Sequence, residues 1–446
     1  MKPNPHRSNA AGGLRVVFRA LKYRNYRLFF SGQSVSLIGT WMQRIAMAWL
    51  VYRLTNSAFL LGVVGFAGQI PTFLLAPFCG VWTDRWNRHR ILVVTQTMAM
   101  IQAFILALLV LTGTIAVWQI IVLSIILGSI NAFDIPARQA FVVEMVERKE
   151  DLGNAIALNS SMFNSARLIG PSVAGILIAA VGEGICFLLN GISYVAVIAA
   201  LLAMKITPRK TQAKKTHVLH GLREGFSYAF RFPPIKAILL LLALISLMGM
   251  PYVVLMPIFA KEILHGGAHT LGFLMAASGI GALTGAMYLA SRRSVLGLGK
   301  TIPVAASIFG VGLIAFSLSR TSLLSYSLML LTGLGTMLHM ASSNTVLQTI
   351  VDDDKRGRVM SFYAMALMGT APFGSLLAGS LASRIGAPDT LMIGGSFCIL
   401  GALVFASKLP SLRETVRPIY AKIGVIPEVA SGIQTATEPT AQPAKD

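Results

Sequence analysis

Charge is scarce in this sequence, and acid is scarcer than base. Only 12% of the 446 residues are charged, against about a quarter in an ordinary soluble protein. The 17 acidic residues face 38 Lys and Arg, a net charge of +21. A shortage this deep excludes a string of soluble domains, and the 55% apolar content points to a bilayer instead. Cysteine is nearly missing. Cys79, Cys186 and Cys398 lie far apart in apolar segments, which excludes a disulfide framework or a thiolate metal site and leaves buried thiols. No HExxH, GxSxG or clustered Cys/His pattern occurs, so neither enzyme chemistry nor a metal is expected. "SVLGLGKT" at 294–301 ends like a phosphate-binding loop, but Ser294 replaces its first glycine and no strand precedes it. ATP is therefore not an expected ligand, and no other cofactor is implied.

What the sequence does have is length of apolar run. Twelve runs are long enough to cross a bilayer as helices: 28–52, 57–80, 91–112, 116–140, 153–181, 184–204, 235–259, 270–291, 301–319, 323–350, 359–383 and 389–407. The first is too long for a signal peptide, and no small-residue cleavage site follows it. The expected fold class is an all-α membrane protein of twelve transmembrane helices in two six-helix bundles. Its divisions are an N-terminal arm (1–27), a first bundle (28–204), a linker (205–234), a second bundle (235–407) and a partly disordered tail (408–446). The linker's second part, His217 to Phe230, reads as a short amphipathic helix on the membrane face.

The basic excess has a direction. With sides assigned by alternation, Arg53, Lys261, Arg320 and Arg384 lie on one side, Arg44 and Arg167 lie within spans, and every other Lys or Arg falls on the opposite side. This asymmetry predicts that both termini are cytoplasmic in a multi-pass inner-membrane protein. The charge is mostly a topology signal, to which attraction by anionic lipid headgroups adds, and nucleic acid is not an expected partner because no recognition module accompanies it.

The halves repeat each other at an offset of about 200 residues. "ARLIGPSVAGILIAA" in the fifth span is echoed by "MGTAPFGSLLAGSLA" in the eleventh, each with Pro among small residues. Parallel six-helix repeats of this kind mark transporters, with a substrate site between the halves near the midplane. An ionisable residue within a span costs about 2.5–3.5 kcal/mol on insertion scales, so each one is a candidate functional group. Asp134 is the one acid so placed; Arg44 and Arg167 are the bases, with Arg138 near a span end and His339 the one histidine. At 100° per residue Ser160, Asn164, Arg167 and Pro171 share a face of the fifth span, as do Gln33, Thr40 and Arg44 in the first and Asn131, Asp134 and Arg138 in the fourth. These stripes predict three helices facing a wet interior. Alternatives stay open: Asp134 either carries protons or neutralises Arg138 one turn on, Arg44 either lines the cavity or snorkels outward, and His339 either lines the cavity or packs. Two cations against one acid make the cavity neutral to positive, which favours an anionic or acidic, partly aromatic substrate, with Trp41 as an apolar contact.

"GVWTDRWNRHR" (80–90), between the second and third spans, resembles the loop motif G-x-x-x-D-R-x-G-R-K/R of the major facilitator superfamily. Gly80, Asp84, Arg85 and Arg88 match; Asn87 replaces the usual Gly, a substitution compatible with a left-handed turn, and His89 stands where Lys or Arg is common. "SLIGTWMQRIAMAWLVYRLT", "FDIPARQAFVVEMV", "ALNSSMFNSARLIGPSVAG" and "RGRVMSFYAMALMG" are similar to the enterobactin-exporter-like, or secretion-effector, branch over about residues 15–415. The resemblance implies the major facilitator fold, a monomer, a small-molecule substrate and export. Asp84 at the membrane edge is costly unless paired, and Arg138 or the positive N-terminal end of the eleventh helix is its candidate partner in a cytoplasmic latch, while Arg85, Arg88 and Arg90 hold Glu144 or lipid; fixing topology is the plainer role for these cations. "GPSVAG" resembles the superfamily's antiporter motif at Gly170, Pro171 and Gly175, though a packing kink accounts for the same residues. The resulting expectation is a secondary exporter of a small acidic siderophore-like metabolite or drug, driven by a proton gradient. A lipid or lysolipid translocator of the same fold is the alternative within transport, and a non-transporting sensor or assembly factor the alternative outside it.

Overall fold

A computed structural model describes residues 18–205, 227–292 and 294–422, leaving aside the side chains at 76–77, 80–81, 84–85, 149 and 353–354. The apolar runs form twelve long helices. In the first half these are α1 (Arg24–Thr55), α2 (Ala58–Arg85), α3 (Arg88–Leu111), α4 (Val117–Met145), α5 (Lys149–Val181) and α6 (Glu183–Leu202). The second half gives α7 (Pro233–Ile263), α8 (Ala268–Ser291), α9 (Leu298–Leu318), α10 (Ser322–Ile350), α11 (Lys355–Ile385) and α12 (Ala387–Lys422). Among the described residues eleven are both long and apolar enough to cross a membrane. The twelfth, α1, has the length at 32 residues but carries Gln33, Ser34, Ser36, Thr40, Gln43 and Arg44 along it. A helix this polar is stable in a bilayer only where its neighbours cover it or water reaches it.

Local chemistry explains most boundaries. The Ser57 hydroxyl caps α2 by accepting from the Leu60 N–H at 3.3 Å. Asn87 does the same for α3, accepting from the Arg90 N–H at 3.1 Å, with an extended backbone at φ −67°. The left-handed turn expected at Asn87 is thus replaced by an N-cap: the residue is used for its side-chain oxygen, not its backbone freedom. In α7 a π turn at Ile245–Gly249 precedes Pro251, and in α11 one at Met365–Gly369 precedes Pro372. A proline cannot donate to the turn before it, and a widened turn accommodates the loss without ending the helix. All three cysteines are unpaired and buried.

Two sequence expectations differ from the observed ends. The last apolar run stops at 407, but α12 continues to Lys422 because Leu412 and Val416 pack back on the core while Arg413 and Arg417 face out. Of the expected amphipathic helix at 217–230, residues 227–230 are helical and the remainder lies outside the described residues, as does the tail beyond 422.

Within the first bundle α1 packs on α5 and α6, α2 on α4, and α3 on α4 and α6; in the second, α8 and α9 flank α10 and α9 packs on α12. A turn at Arg19–Lys22 fastens the start of α1 to α5, with Arg19 and Lys22 ion-paired to Asp151 at 2.5 and 2.6 Å and the Tyr23 hydroxyl donating to it at 2.7 Å. The bundles meet chiefly along two seams, α2 on α11 and α5 on α8. Both seams are tightest far from the chain termini and both close on glycine. A Cβ on Gly175 would sit 2.7 Å from the Gly272 Cα, and one on Gly379 would sit 2.7 Å from the Gly62 Cα. The repeat read from "GPSVAG" and "PFGSLLAG" is therefore built into the contact between the halves.

Candidate functional site

The candidate site is assembled where α1 and α5 meet around Trp41. Trp41 packs beside Gly170 of α5, where a Cβ would lie 2.5 Å from that of Trp41. On the Trp41 ring sit two guanidiniums, Arg44 at 4.8 Å and Arg167 at 5.9 Å from the centroid, while Phe163 meets it edge-on at 5.7 Å. Arg44 and Phe163 are solvent-accessible although both lie deep within their helices, and Arg167 is half-buried. Neither guanidinium has an ion pair or hydrogen bond among the described residues, and the groups near Arg44 are the Tyr194 phenol and the guanidiniums of Arg167 and Arg138. Two cations on an aromatic face, with no acid to neutralise them, form a ready seat for an anion that also carries an apolar or aromatic part.

The polar side of α1 is divided between this seat and the bundle interior. Gln43 accepts from Asn190 at 2.6 Å and donates to Gln102 at 3.1 Å, tying α1, α6 and α3 together. Gln33 is buried, and Thr40 bonds the Ser36 carbonyl at 2.9 Å and meets the Tyr194 hydroxyl at 3.4 Å, so both face their own bundle. In α5, Ser160 is exposed and Asn164 donates to the Ser160 carbonyl at 2.9 Å.

Asp134 is buried against α3. Its carboxylate accepts from Gln96 at 2.7 Å and Thr95 at 3.0 Å, and Arg138 stands 3.5 Å from its other oxygen. This carboxylate is therefore fully partnered. Arg88 pairs with Glu144 of α4 at 2.7 Å, a link within the first bundle. Of the other latch positions, Gly80 lies within α2, and the side chains of Asp84 and Arg85 lie outside the described structure. In α5, Gly170 packs on α1 while Pro171 and Gly175 face Gly272 of α8. His339 is buried against α9 with Nδ1 3.4 Å from the Ile302 carbonyl; its Nε2 and the hydroxyls of Ser342 and Ser343 have no partner in the described structure.

A polar cluster joins the bundles at the end remote from the termini. The Tyr52 hydroxyl of α1 donates to Glu262 of α7, and the Lys261 ammonium donates to Asn56 at 2.6 Å while standing 5.5 Å from the Tyr52 ring. Arg53 pairs there with Glu183 at 2.7 Å. Sequence reasoning missed this cluster, although Lys261 and Arg53 were two of the few bases on that side. Those rare charges were the available signal.

Residues 17–428 match the model of a family described as transmembrane secretion effectors. The chain belongs to that family. It is a multi-pass transporter, not an enzyme, with the major facilitator fold. This secretion-effector chain is 26% identical over 382 residues to the staphyloferrin A transporter of Staphylococcus aureus, covering 85% of this chain and 95% of that one. It is 24% identical to macrolide efflux protein A of Streptococcus pyogenes, over 86% of this chain and 96% of that one. It is also 24% identical to the multidrug efflux pump Tap of Mycolicibacterium fortuitum, over 83% and 92%. Among solved structures, an inward-facing bacterial homologue of the iron transporter ferroportin superposes with a TM-score of 0.64 at 18% identity, covering 86% of this chain and 98% of that one. A bacterial homologue of the lysosomal transporter Spinster superposes with a TM-score of 0.66 at 13% identity, over 89% and 98%.

Proposed function

We propose that this transporter exports a small acidic organic molecule of siderophore or drug type from the cytoplasm, in exchange for protons, by alternating access. The observation that carries the reading is the pair of guanidiniums on Trp41 without a carboxylate between them. A cation at membrane depth without a counter-ion is costly, and an entering carboxylate supplies the missing partner. The relatives' names, a siderophore transporter and two drug-efflux proteins, support the substrate class. The distribution of Lys and Arg supports cytoplasmic termini.

On this orientation the glycine seams and the Tyr52–Glu262 and Lys261–Asn56 contacts close the outer end, and the cavity is entered from the cytoplasm. Asp134 is the coupling candidate. Its pairing with Arg138 fits the form that has released its proton inward, ready for substrate. Opening outward would break the outer contacts, release the anion and let a proton in, and rocking of the two bundles about the midplane site would join these steps.

The test uses purified protein in liposomes holding a pH-reporting dye. Matched acidic and cationic compounds are added under an imposed proton gradient, to wild type and to Arg44→Gln/Arg167→Gln. Proton movement provoked by acids and lost in the double variant is the expected result. Movement provoked by cations alone refutes the substrate class, and silence with every compound refutes proton antiport of acidic molecules.

A further inference from the structure

A second recess lies away from the central cavity, at the terminus-bearing end of the second bundle. It is a groove of about 320 Å³ between α7, α9, α10 and α12. Its walls are apolar, including Ile238 of α7 and Phe405 and Leu409 of α12, and its rim carries Lys300, Arg413 and Arg417. No acidic residue lines it. The three cations are exposed, and none has an ion pair or hydrogen bond among the described residues.

The position of the groove follows from the length of α12. At 36 residues the helix is about 54 Å long, well beyond the about 30 Å hydrocarbon core. Its last turns therefore emerge at the headgroup level, and these are the turns that carry Arg413 and Arg417. Apolar wall below and uncompensated positive rim above reproduce, in mould, the two parts of a phospholipid.

We propose that this groove holds one anionic phospholipid of the leaflet on the terminus-bearing side. An acyl chain lies along Ile238, Phe405 and Leu409, and the phosphate rests among Lys300, Arg413 and Arg417. Charge complementarity selects this occupant over the chain's own linker, since 206–226 brings Arg209, Lys210, Lys214, Lys215 and Arg223 and would be repelled by the rim. A lipid with a net negative headgroup gains from each cation, while a zwitterionic one gains far less. The site is independent of the cargo and of Arg44, so it stands or falls apart from the export reading.

Native mass spectrometry of the full chain, released from detergent after incubation with phosphatidylglycerol or phosphatidylcholine, tests it. Wild type is expected to retain one phosphatidylglycerol in preference to phosphatidylcholine. Each cation removed should weaken retention about fivefold, and K300Q/R413Q/R417Q together about a hundredfold. R413K/R417K keeps the charge and should keep the lipid, and R24Q/R27Q, at the start of α1, should leave it unchanged. Thermal unfolding of each variant shows that it is folded. Equal retention of the two lipids by wild type overturns the proposal, as does wild-type retention by the folded triple variant. A loss with R24Q/R27Q equal to that of the triple variant overturns it too, because the effect is then one of general surface charge.

Discussion

Arg44→Gln should make this transporter worse at its task and more stable at once. The guanidinium of Arg44 stands 4.8 Å from the Trp41 centroid, near the Tyr194 phenol and two other guanidiniums, and has no carboxylate partner among the described residues. An Arg at mid-membrane costs about 2.5–3.5 kcal/mol on insertion scales. Arg44 is reached by solvent, which screens it, so only about 1 kcal/mol of that should be recovered by the neutral side chain. The lost ring contact offsets about 0.5 kcal/mol. Substrate binding moves the other way. A charge-assisted hydrogen bond to a carboxylate is worth about 1.5–3 kcal/mol, so affinity for an acidic substrate should fall about 10- to 150-fold. Arg44→Lys keeps a charge but loses the planar fork, and should fall between the two. Binding of acidic compounds to the purified protein and its thermal unfolding midpoint in detergent give the two readings. A lowered midpoint with unchanged affinity for acids would refute the reasoning, because it would make Arg44 a structural residue.

Asp134→Asn strips Arg138 of its carboxylate partner at 3.5 Å and should destabilise the first bundle by about 2 kcal/mol while leaving substrate binding in place. Proton movement in liposomes should be lost; coupled transport at the wild-type rate would remove Asp134 from the mechanism. Asn87→Ala deletes the cap of α3 and should lower stability by about 1 kcal/mol, whereas Asn87→Gly, which matches the family motif, should cost only a few tenths; equal losses in thermal unfolding would count against capping. Gly175→Val forces a side chain into a gap where a Cβ already stands 2.7 Å from the Gly272 Cα, so the end remote from the termini should no longer seal. Spin-label distances across that end should lengthen and transport should fall at least tenfold; unchanged distances would mean that the seam yields freely.

The parts of this molecule legible in its sequence are those encoded along one helix. Twelve apolar runs, the pairing of Asp134 with Arg138 one turn on, and the small residues around Pro171 and Pro372 all depend on neighbours within a few positions. What was not legible depends on contacts between distant segments. Helical period put Gln33, Thr40 and Arg44 on one face of α1, but that face is wedged against α6. Gln33 stays buried and Thr40 lies beside Tyr194, and of the three only Arg44 is exposed. Phe163 joins Trp41 at a sequence separation of 122, and Tyr52 meets Glu262 at a separation of 210. No local pattern announces such partners. Asn87 differs in kind: its replacement of a motif glycine was visible, but whether the backbone or the side chain was being used required the φ angle and the cap.

The two ends of the transporter are held by different physics, and this bears on why an empty carrier should not cycle. At the end remote from the termini, backbone meets backbone at Gly62–Gly379 and Gly175–Gly272, and a few polar contacts such as Lys261–Asn56 fix the register. Such contacts are short-ranged and are lost together once the helices part. At the opposite end the ion pairs of the first bundle lie within that bundle, Arg88 with Glu144, Arg138 with Asp134, and Arg19 and Lys22 with Asp151. Drawing on these groups for ion pairs between the bundles would first require breaking those pairs. Closing that end must also withdraw water from Arg44 and Arg167. Around an empty site, closure dehydrates two like charges about one tryptophan ring; around a bound carboxylate it strengthens their attraction to it. A ligand shifts a conformational equilibrium only through its differential affinity for the two states, and here the differential is supplied by dehydration of the guanidiniums. The unpaired cations that make the empty cavity costly are on this reasoning what ties the conformational change to the presence of cargo.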